Sequence, residues 1–286
     1  MQRLTPERVH IAAFSEGATG GNPAGVWIGE TLPPADEMQR IAAEVGFSET
    51  AFVAPLPGSS ENTWRVRYFS PEAEVPFCGH ATIAATAALA KRFGEGEYFL
   101  QLNQSRITVS GSRQPSGGWQ ATLLSPPTAS APVDTPTLQQ ALALFGYTED
   151  DLDPALPPAR IHGGADHLIL ALKTRQALAE MTYSQPAGRA LMQQQGWVTI
   201  LLVYAETAQK FHSRNPFAFG GVYEDPATGA ASAALGGYLR DTGWPYQGHI
   251  DIIQGEDMGM RSLIAVEIDT IPGNPIRISG QAREMA

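Results

Sequence analysis

Displaced by 146 residues along itself, the chain lays Ala81-Thr82-Ile83-Ala84-Ala85-Thr86-Ala87-Ala88-Leu89 over Ala227-Thr228-Gly229-Ala230-Ala231-Ser232-Ala233-Ala234-Leu235, with seven of nine positions identical. A repeat at long period signals a duplicated structural unit. Alanine supplies five of the matches, so similar composition is the competing explanation. The similar length of the two halves and a stretch rich in Pro, Ser and Thr between them favour duplication. Both segments read as helices built of small residues. A helix that is small or apolar all round is buried rather than laid on a surface. Two of them, one per half, predict two sheets, each wrapped around its own helix.

The rest of the pattern agrees. Short β-prone runs occur at 9–14, 25–28, 51–53, 64–69, 97–101, 106–109 and 119–124, and again at 160–162, 168–172, 198–204, 249–254, 263–268 and 276–279. Helical periodicity marks 34–45, 80–92, 137–144, 186–194 and 226–240, with Thr137 as a candidate cap. Helices do not alternate strictly with strands, which predicts an α+β fold of two similar domains, each a rolled, mostly antiparallel sheet around a central helix. The expected division is 1–125 for the first domain, 126–137 for a linker and 138–271 for the second, with the segment from about 272 returning to the first.

Charge and cysteine content limit what such a chain does. Lys and Arg number 19 against 29 Asp and Glu, a net charge of −10, which disfavours nucleic acid and anionic membranes as partners. The sequence opening shows no basic-then-apolar leader, and no apolar run approaches the roughly 20 residues of a membrane span. One cysteine, Cys78, permits no internal disulfide, so a cytoplasmic location is expected.

Each small-residue helix begins with a distinctive loop: Pro76-Phe77-Cys78-Gly79-His80-Ala81-Thr82, and Glu224-Asp225-Pro226-Ala227-Thr228-Gly229-Ala230. Helix N-termini carry unpaired N–H groups and partial positive charge, which suits a carboxylate. Gly79 and Gly229 would let a ligand approach the backbone. Equally, Thr82, Asp225, Pro226 and Thr228 are ordinary helix-start residues. Glu49 stands between a helix and an apolar strand, either as an acid/base group or as an exposed strand-edge carboxylate. Cys78 is either a reactive thiol or a small buried hydrophobe. At the 146-residue offset its partner is Glu224, which excludes a site of two thiols. No histidine pair has metal-binding helical spacing. GxxxxGK, GxGxxG after a strand and GxSxG are all absent, which leaves acid, base and hydrogen-bond chemistry without metal or nucleotide.

Several blocks together resemble one family. Gly21-Asn22-Pro23-Ala24-Gly25-Val26 and Phe47-Ser48-Glu49-Thr50-Ala51-Phe52-Val53 resemble the N-terminal signature of the PhzF family, the phenazine-biosynthesis-like isomerases. Arg65 to Pro71 with Glu74 to Thr82 is similar to its second block, Gly221 to Gly229 to its third, and Gln254-Gly255 with Met258-Gly259 and Arg261-Ser262 to its last. The resemblance implies a diaminopimelate-epimerase-like fold with the site in the cleft between the domains, and a homodimer. It implies an isomerase that needs no cofactor and no metal, like the family prototype acting on trans-2,3-dihydro-3-hydroxyanthranilate. It assigns Glu49 as the acid/base, and Gly79, His80, Asp225 and Gly229 as contacts to a small-molecule carboxylate substrate. The chain departs from the family pattern at Ala230, where serine is common, which removes a possible donor to substrate. Two other readings stand beside this one. One is a thiol-dependent epimerase using Cys78 with Glu224 or Glu49. The other is a non-catalytic ligand-binding homologue.

Overall fold

A computed structural model describes residues 4–59, 62–115 and 117–285. The chain separates into two compact units, Met1–Leu124 with Ser279–Ala286, and Ser125–Ile278.

The first unit contains β1 (Glu7–Ser15), β2 (Asn22–Ile28), α1 (Ala35–Val45), β3 (Thr50–Pro55), β4 (Thr63–Phe69), β5 (Glu74–Val75), α2 (Gly79–Phe93), β6 (Gly96–Gln101), β7 (Arg106–Arg113) and β8 (Trp119–Leu124). The second contains β9 (Ala129–Pro132), α3 (Thr135–Phe145), β10 (Ala159–His162), β11 (Asp166–Ala171), α4 (Arg175–Ala179), α5 (Gln185–Gln195), β12 (Thr199–Ala205), β13 (Lys210–Pro216), β14 (Glu224–Asp225), α6 (Gly229–Thr242), β15 (His249–Gln254) and β16 (Ser262–Glu267). The last strand, β17 (Arg277–Glu284), pairs in the first unit.

Strand pairing in the first unit closes on itself in the order β17–β1–β2–β3–β4–β6–β7–β8–β17. The pairings β2–β3 and β4–β6 are parallel and the other registered ones antiparallel. The second unit repeats the sequence of pairings, β9–β10–β11–β12–β13–β15–β16, with parallel steps at β11–β12 and β13–β15. Thus β17, from the far end of the chain, fills in the first unit the place that β9 fills in the second.

Helix α2 lies inside the first ring, against β1, β2, β3, β7 and β8, and every residue from His80 to Ala90 is buried. Helix α6 packs on β9, β10, β11 and β16, buried from Ala231 to Arg240. Small residues permit this on both sides of the contact. A Cβ on Gly111 of β7 would stand 2.4 Å from the Ala90 methyl, and one on Gly163 only 2.5 Å from the Ala234 nitrogen. The remaining long helices cover the outer faces. Met38, Ile41 and Ala42 of α1 pack with Phe52 and Phe69. Leu142, Phe145, Leu191 and Met192 of α3 and α5 pack with Leu168, Leu170, Ile200, Leu202 and Trp197. Strands buried on both faces explain why β12 reads as a continuous apolar run. Among the described residues no helix is long and apolar enough to cross a membrane.

The fold class is the one expected, and several local expectations are corrected. Residues 126–137 hold strand β9 and the start of α3 rather than a linker. Pro, Ser and Thr also suit an edge strand and a helix start, and Pro136 stands in the first turn of α3. The cap of α3 is Asp134, which accepts from the Thr137 N–H at 3.0 Å, not Thr137 itself. The return to the first unit begins at Ser279 rather than 272.

The repeat offset is also corrected. Arg67 and Glu74 form a bidentate pair across the β4–β5 hairpin, and Arg214 and Glu224 form one across β13–β14. Helix α2 then starts with Cys78 as its N-cap and α6 with Thr228, each four residues past its glutamate. The structural offset at the helices is therefore 150, and helix 226–240 begins at Gly229, one turn later than Pro226 suggested. The β13–β14 connection is three residues longer than that of β4–β5, which the ungapped match could not register. The seven identities at 146 are a coincidence of alanine content, since at the structural offset only Ala81, Ala84 and Leu89 of the same nine match. The counterpart of Cys78 is Thr228, not Glu224.

Candidate functional site

Three of the expected residues converge in the first unit. Gly46, in the left-handed conformation (φ 71°), ends α1 and redirects the chain through Phe47-Ser48-Glu49 into β3. The Glu49 carbonyl accepts from the Gly25 N–H at 3.1 Å, which fixes the backbone at the mouth of the β2–β3 step. Only a glycine fits at 25, since a Cβ there would meet the Thr50 hydroxyl at 2.6 Å. The Glu49 side chain is buried to about nine-tenths. Its carboxyl faces the first turn of α2, where His80 Nε2 lies 3.4 Å from Glu49 Oε2 and 3.4 Å from the Ser48 hydroxyl.

Cys78 closes the group, with Sγ 3.3 Å from His80 Nδ1 and 3.9 Å from Nε2. The imidazole thus lies between a carboxylate and a hydroxyl on one side and a thiol on the other. Underneath, the Cys78 carbonyl accepts from both the N–H and the hydroxyl of Thr82, at 3.0 and 2.7 Å. The Tyr68 hydroxyl meets the Thr82 hydroxyl at 2.6 Å, and burial pushes the Tyr68 pKa up, so this anchor stays uncharged. Gly79 is the first residue of α2, whose start is closed by no side-chain cap.

Asp225 and Gly229 belong to the second unit. Asp225, in β14, accepts from the Thr228 hydroxyl at 2.6 Å, and Gly229 opens α6, again without a side-chain cap. The residue that holds this loop is Gln254, which stands in a family-like block of the sequence without a role there. The amide of Gln254, fully buried at the end of β15, donates to the Asp225 carbonyl at 2.7 Å and the Thr228 hydroxyl at 3.0 Å. It accepts from the Thr228 N–H at 3.1 Å. Gly255 completes the corner with φ 73°, where a Cβ would stand 2.8 Å from the Pro226 carbonyl oxygen. A single amide that ends an apolar run, His249-Ile250-Asp251-Ile252-Ile253-Gln254, was the available signal.

The corrected offset allows the two halves to be compared position by position. In β3 and β12, Phe52 and Leu202 stand opposite Arg67 and Arg214, so Glu49 corresponds to Thr199. His80 corresponds to Ala230 and Cys78 to Thr228. The carboxylate, imidazole and thiol of the first half therefore have no titrating counterpart in the second. Thr199 is instead tied into a buried polar chain. Its hydroxyl donates to Asn215 Oδ1 at 2.9 Å and meets His167 Nδ1 at 2.8 Å. Burial drives the His167 pKa down to about 3, so this histidine is neutral.

Beside the loop, the buried Arg214–Glu224 pair also supplies N–H donors to the carbonyls of Ala179 and Met181. Burial works against the Arg214 charge, and its hydrogen bonds to Glu224 outweigh that, holding the pKa above its ordinary value.

The profile of the phenazine biosynthesis-like protein family, PhzC-PhzF, matches residues 11–285. A protein of Escherichia coli O157:H7 named as the uncharacterized isomerase YddE is 29% identical, covering 98% of this chain and 96% of its own. A trans-2,3-dihydro-3-hydroxyanthranilate isomerase of Pseudomonas fluorescens is 30% identical over 90% of this chain and 88% of its own. Among solved structures, a PhzF-family phenazine biosynthesis protein of Bacillus anthracis superposes with a TM-score of 0.83 at 23% identity, covering 99% of this chain and 98% of that one. A hydroxyproline epimerase from Agrobacterium vitis shares the fold at a TM-score of 0.63 and 12% identity, covering 100% of this chain and 92% of that one.

Proposed function

The chain belongs to the phenazine biosynthesis-like family and is an isomerase, and from that premise we propose that Glu49 moves a proton between two carbons of a small cyclic carboxylic acid without a cofactor. The observation that carries this reading is the asymmetry between the halves. Glu49, His80 and Cys78 stand together in the first unit, where the second has Thr199, Ala230 and Thr228. Epimerisation by two bases needs a proton acceptor on one face and a proton donor on the other. A single carboxyl group that takes a proton and returns it to another carbon gives an isomerisation.

Glu49 as carboxylate accepts the proton next to the conjugated system, and negative charge builds on the substrate. His80, on the same carboxyl group, holds it in place and donates where charge develops. The uncapped start of α2, led by Gly79, offers N–H groups to a carboxylate, and in the second unit Asp225 and Gly229 offer an acceptor and an open helix start. Ala230 leaves that second start without the hydroxyl that a serine at this position would add, which favours a substrate lacking the acceptor such a serine would serve. A cytoplasmic homodimer is part of the same reading, and sedimentation of the purified protein tests the assembly.

The test is solvent-deuterium incorporation into a panel of cyclic carboxylic acids, starting with trans-2,3-dihydro-3-hydroxyanthranilate. Glu49→Gln keeps shape and hydrogen bonding and is expected to lose about 10²–10⁴-fold in turnover. Cys78→Ala is expected to keep most of it. An inactive Cys78→Ala beside an active Glu49→Gln would replace this reading with the thiol-dependent epimerase, for which the 3.3 Å contact between Cys78 and His80 is the supporting observation.

A further inference from the structure

The Glu49, Cys78 and His80 cluster has a second chemical identity. All three side chains are buried, and one donor atom from each lies within 4.8 Å of the others. A carboxylate oxygen, a thiolate sulfur and an imidazole nitrogen form a donor set that suits Zn²⁺. The spacing can be tested against bond lengths. Zinc bonds of about 2.3 Å to sulfur and about 2.0–2.1 Å to nitrogen and oxygen, at tetrahedral angles, require an S···N edge of about 3.5 Å and an N···O edge of about 3.4 Å. The observed gaps are 3.9 Å from Cys78 Sγ to His80 Nε2 and 3.4 Å from His80 Nε2 to Glu49 Oε2. Of these two edges one already fits and the other closes with a shift of a few tenths of an ångström, and the third, from Cys78 to Glu49, is no longer than 4.8 Å.

We propose that Glu49, Cys78 and His80 form a zinc-binding site that inhibits the enzyme by occupying its acid/base. The inhibition rests on the function proposed above, whereas the binding does not. Two anionic ligands and a neutral imidazole balance the metal charge. They outweigh the partial positive charge, about half a unit, at the start of α2. Binding replaces the thiol proton, which passes to solvent, so each zinc bound releases one proton from Cys78. Water or the Ser48 hydroxyl, 3.4 Å from His80 Nε2, supplies the fourth position. Zinc on Glu49 Oε2 takes up the lone pair that must accept the substrate proton. Sequence spacing could not disclose this set, because Glu49 stands far along the chain from Cys78 and His80 and reaches them only through the fold.

The experiment is metal titration of the protein after chelator treatment, followed by calorimetry with Zn²⁺ and by absorption with Co²⁺ as its spectroscopic substitute. One equivalent is expected to bind, with a near-ultraviolet thiolate-to-cobalt charge-transfer band. Cys78→Ser is expected to abolish the band and weaken zinc by more than the ~10–100-fold that loss of an outer partner costs. Glu49→Gln should weaken zinc while keeping the band, and the far-ultraviolet spectrum of each variant checks folding. Absence of the band in the wild type, or zinc affinity unchanged in Cys78→Ser, overturns the site. If the protein turns over a panel substrate, zinc should suppress that turnover and a chelator restore it. Stoichiometric zinc with undiminished turnover overturns the inhibitory role. Zinc binding with no turnover of any panel acid would leave the site standing and remove the proposed reaction.

Discussion

His167 gives a quantitative test of the second unit. Its ring is fully buried in β11, on the face opposite Leu168 and Leu170, and Nδ1 meets the Thr199 hydroxyl at 2.8 Å. That hydroxyl already donates to Asn215, so it accepts from His167, which places the ring proton on Nδ1. Among the described residues Nε2 has no hydrogen-bond partner, so adding a proton there would bury an unpaired charge. Burial accordingly lowers the pKa from 6.5 to about 3.

Between those two values the unfolded chain binds a proton at this residue and the folded one does not, so stability rises with pH across the window. The contribution is complete above pH 6.5 and is lost as pH falls toward 3. A shift of this size corresponds to about 5 kcal/mol over the full window, and about 2–3 kcal/mol is gone by pH 4.5. His167→Asn keeps a donor near the Nδ1 position and cannot titrate. It is expected to be less stable than wild type at pH 7.5 through lost packing. Its stability should then fall less between pH 7.5 and 4.5, by about 2–3 kcal/mol, in paired urea denaturation curves. Equal pH dependence in the two proteins would refute the buried neutral histidine and the hydrogen-bond order built on it.

Three further outcomes follow from the packing. Gln254→Leu places in the second half the residue that the first half carries at the equivalent position, Leu102. It removes every bond from that amide to the Asp225–Thr228 loop. Hydrogen exchange should quicken in peptides covering 224–230 while the body of α6 stays protected, and unchanged exchange would show that the loop stands without the amide. Gly111→Val should destabilise the first unit by about 1–3 kcal/mol in chemical denaturation, because the new side chain meets the Ala90 methyl and the Thr86 carbonyl. Glu74 titrates below its ordinary range because Arg67 hydrogen-bonds its carboxylate. The stability it adds is therefore complete above the ordinary carboxylate range and lost as pH falls through its lowered value. Glu74→Gln should flatten this part of the acid limb by less than about 1 kcal/mol, since the pair is partly exposed.

The buried helices were legible in the sequence because eleven consecutive residues, His80 to Ala90, lack a polar face wide enough for solvent. Local pattern left Glu49, Gly79 and Gly229 with open alternatives, since a lone glutamate before an apolar strand looks the same whether buried or exposed, and only the resemblance of motifs attached roles to them and to His80 and Asp225. The offset between the halves was not legible. Alanine in successive turns of a helix carries no register, and the three extra residues fall in a loop that leaves no periodic trace. The partners of Gln254, Thr199 and His167 were hidden for a related reason. Each is a polar residue within or beside an apolar strand, and only the paired strands show that its partners are buried with it.

The closure of the first ring by β17 has a consequence for synthesis on the ribosome. The second unit is continuous in the chain from Ser125 to Ile278, so all its pairings are available once that segment has left the exit tunnel. The first unit, although made earlier, cannot join β1 to β8 until residues 277–284 arrive. Through most of elongation β1 and β8 therefore present open hydrogen-bonding edges, a state prone to pairing with other chains. Strands β15, β16 and β17 leave the tunnel in quick succession at the end of synthesis, so the first unit stays unsealed through most of elongation, which makes the nascent N-terminal half the segment most in need of a holding chaperone.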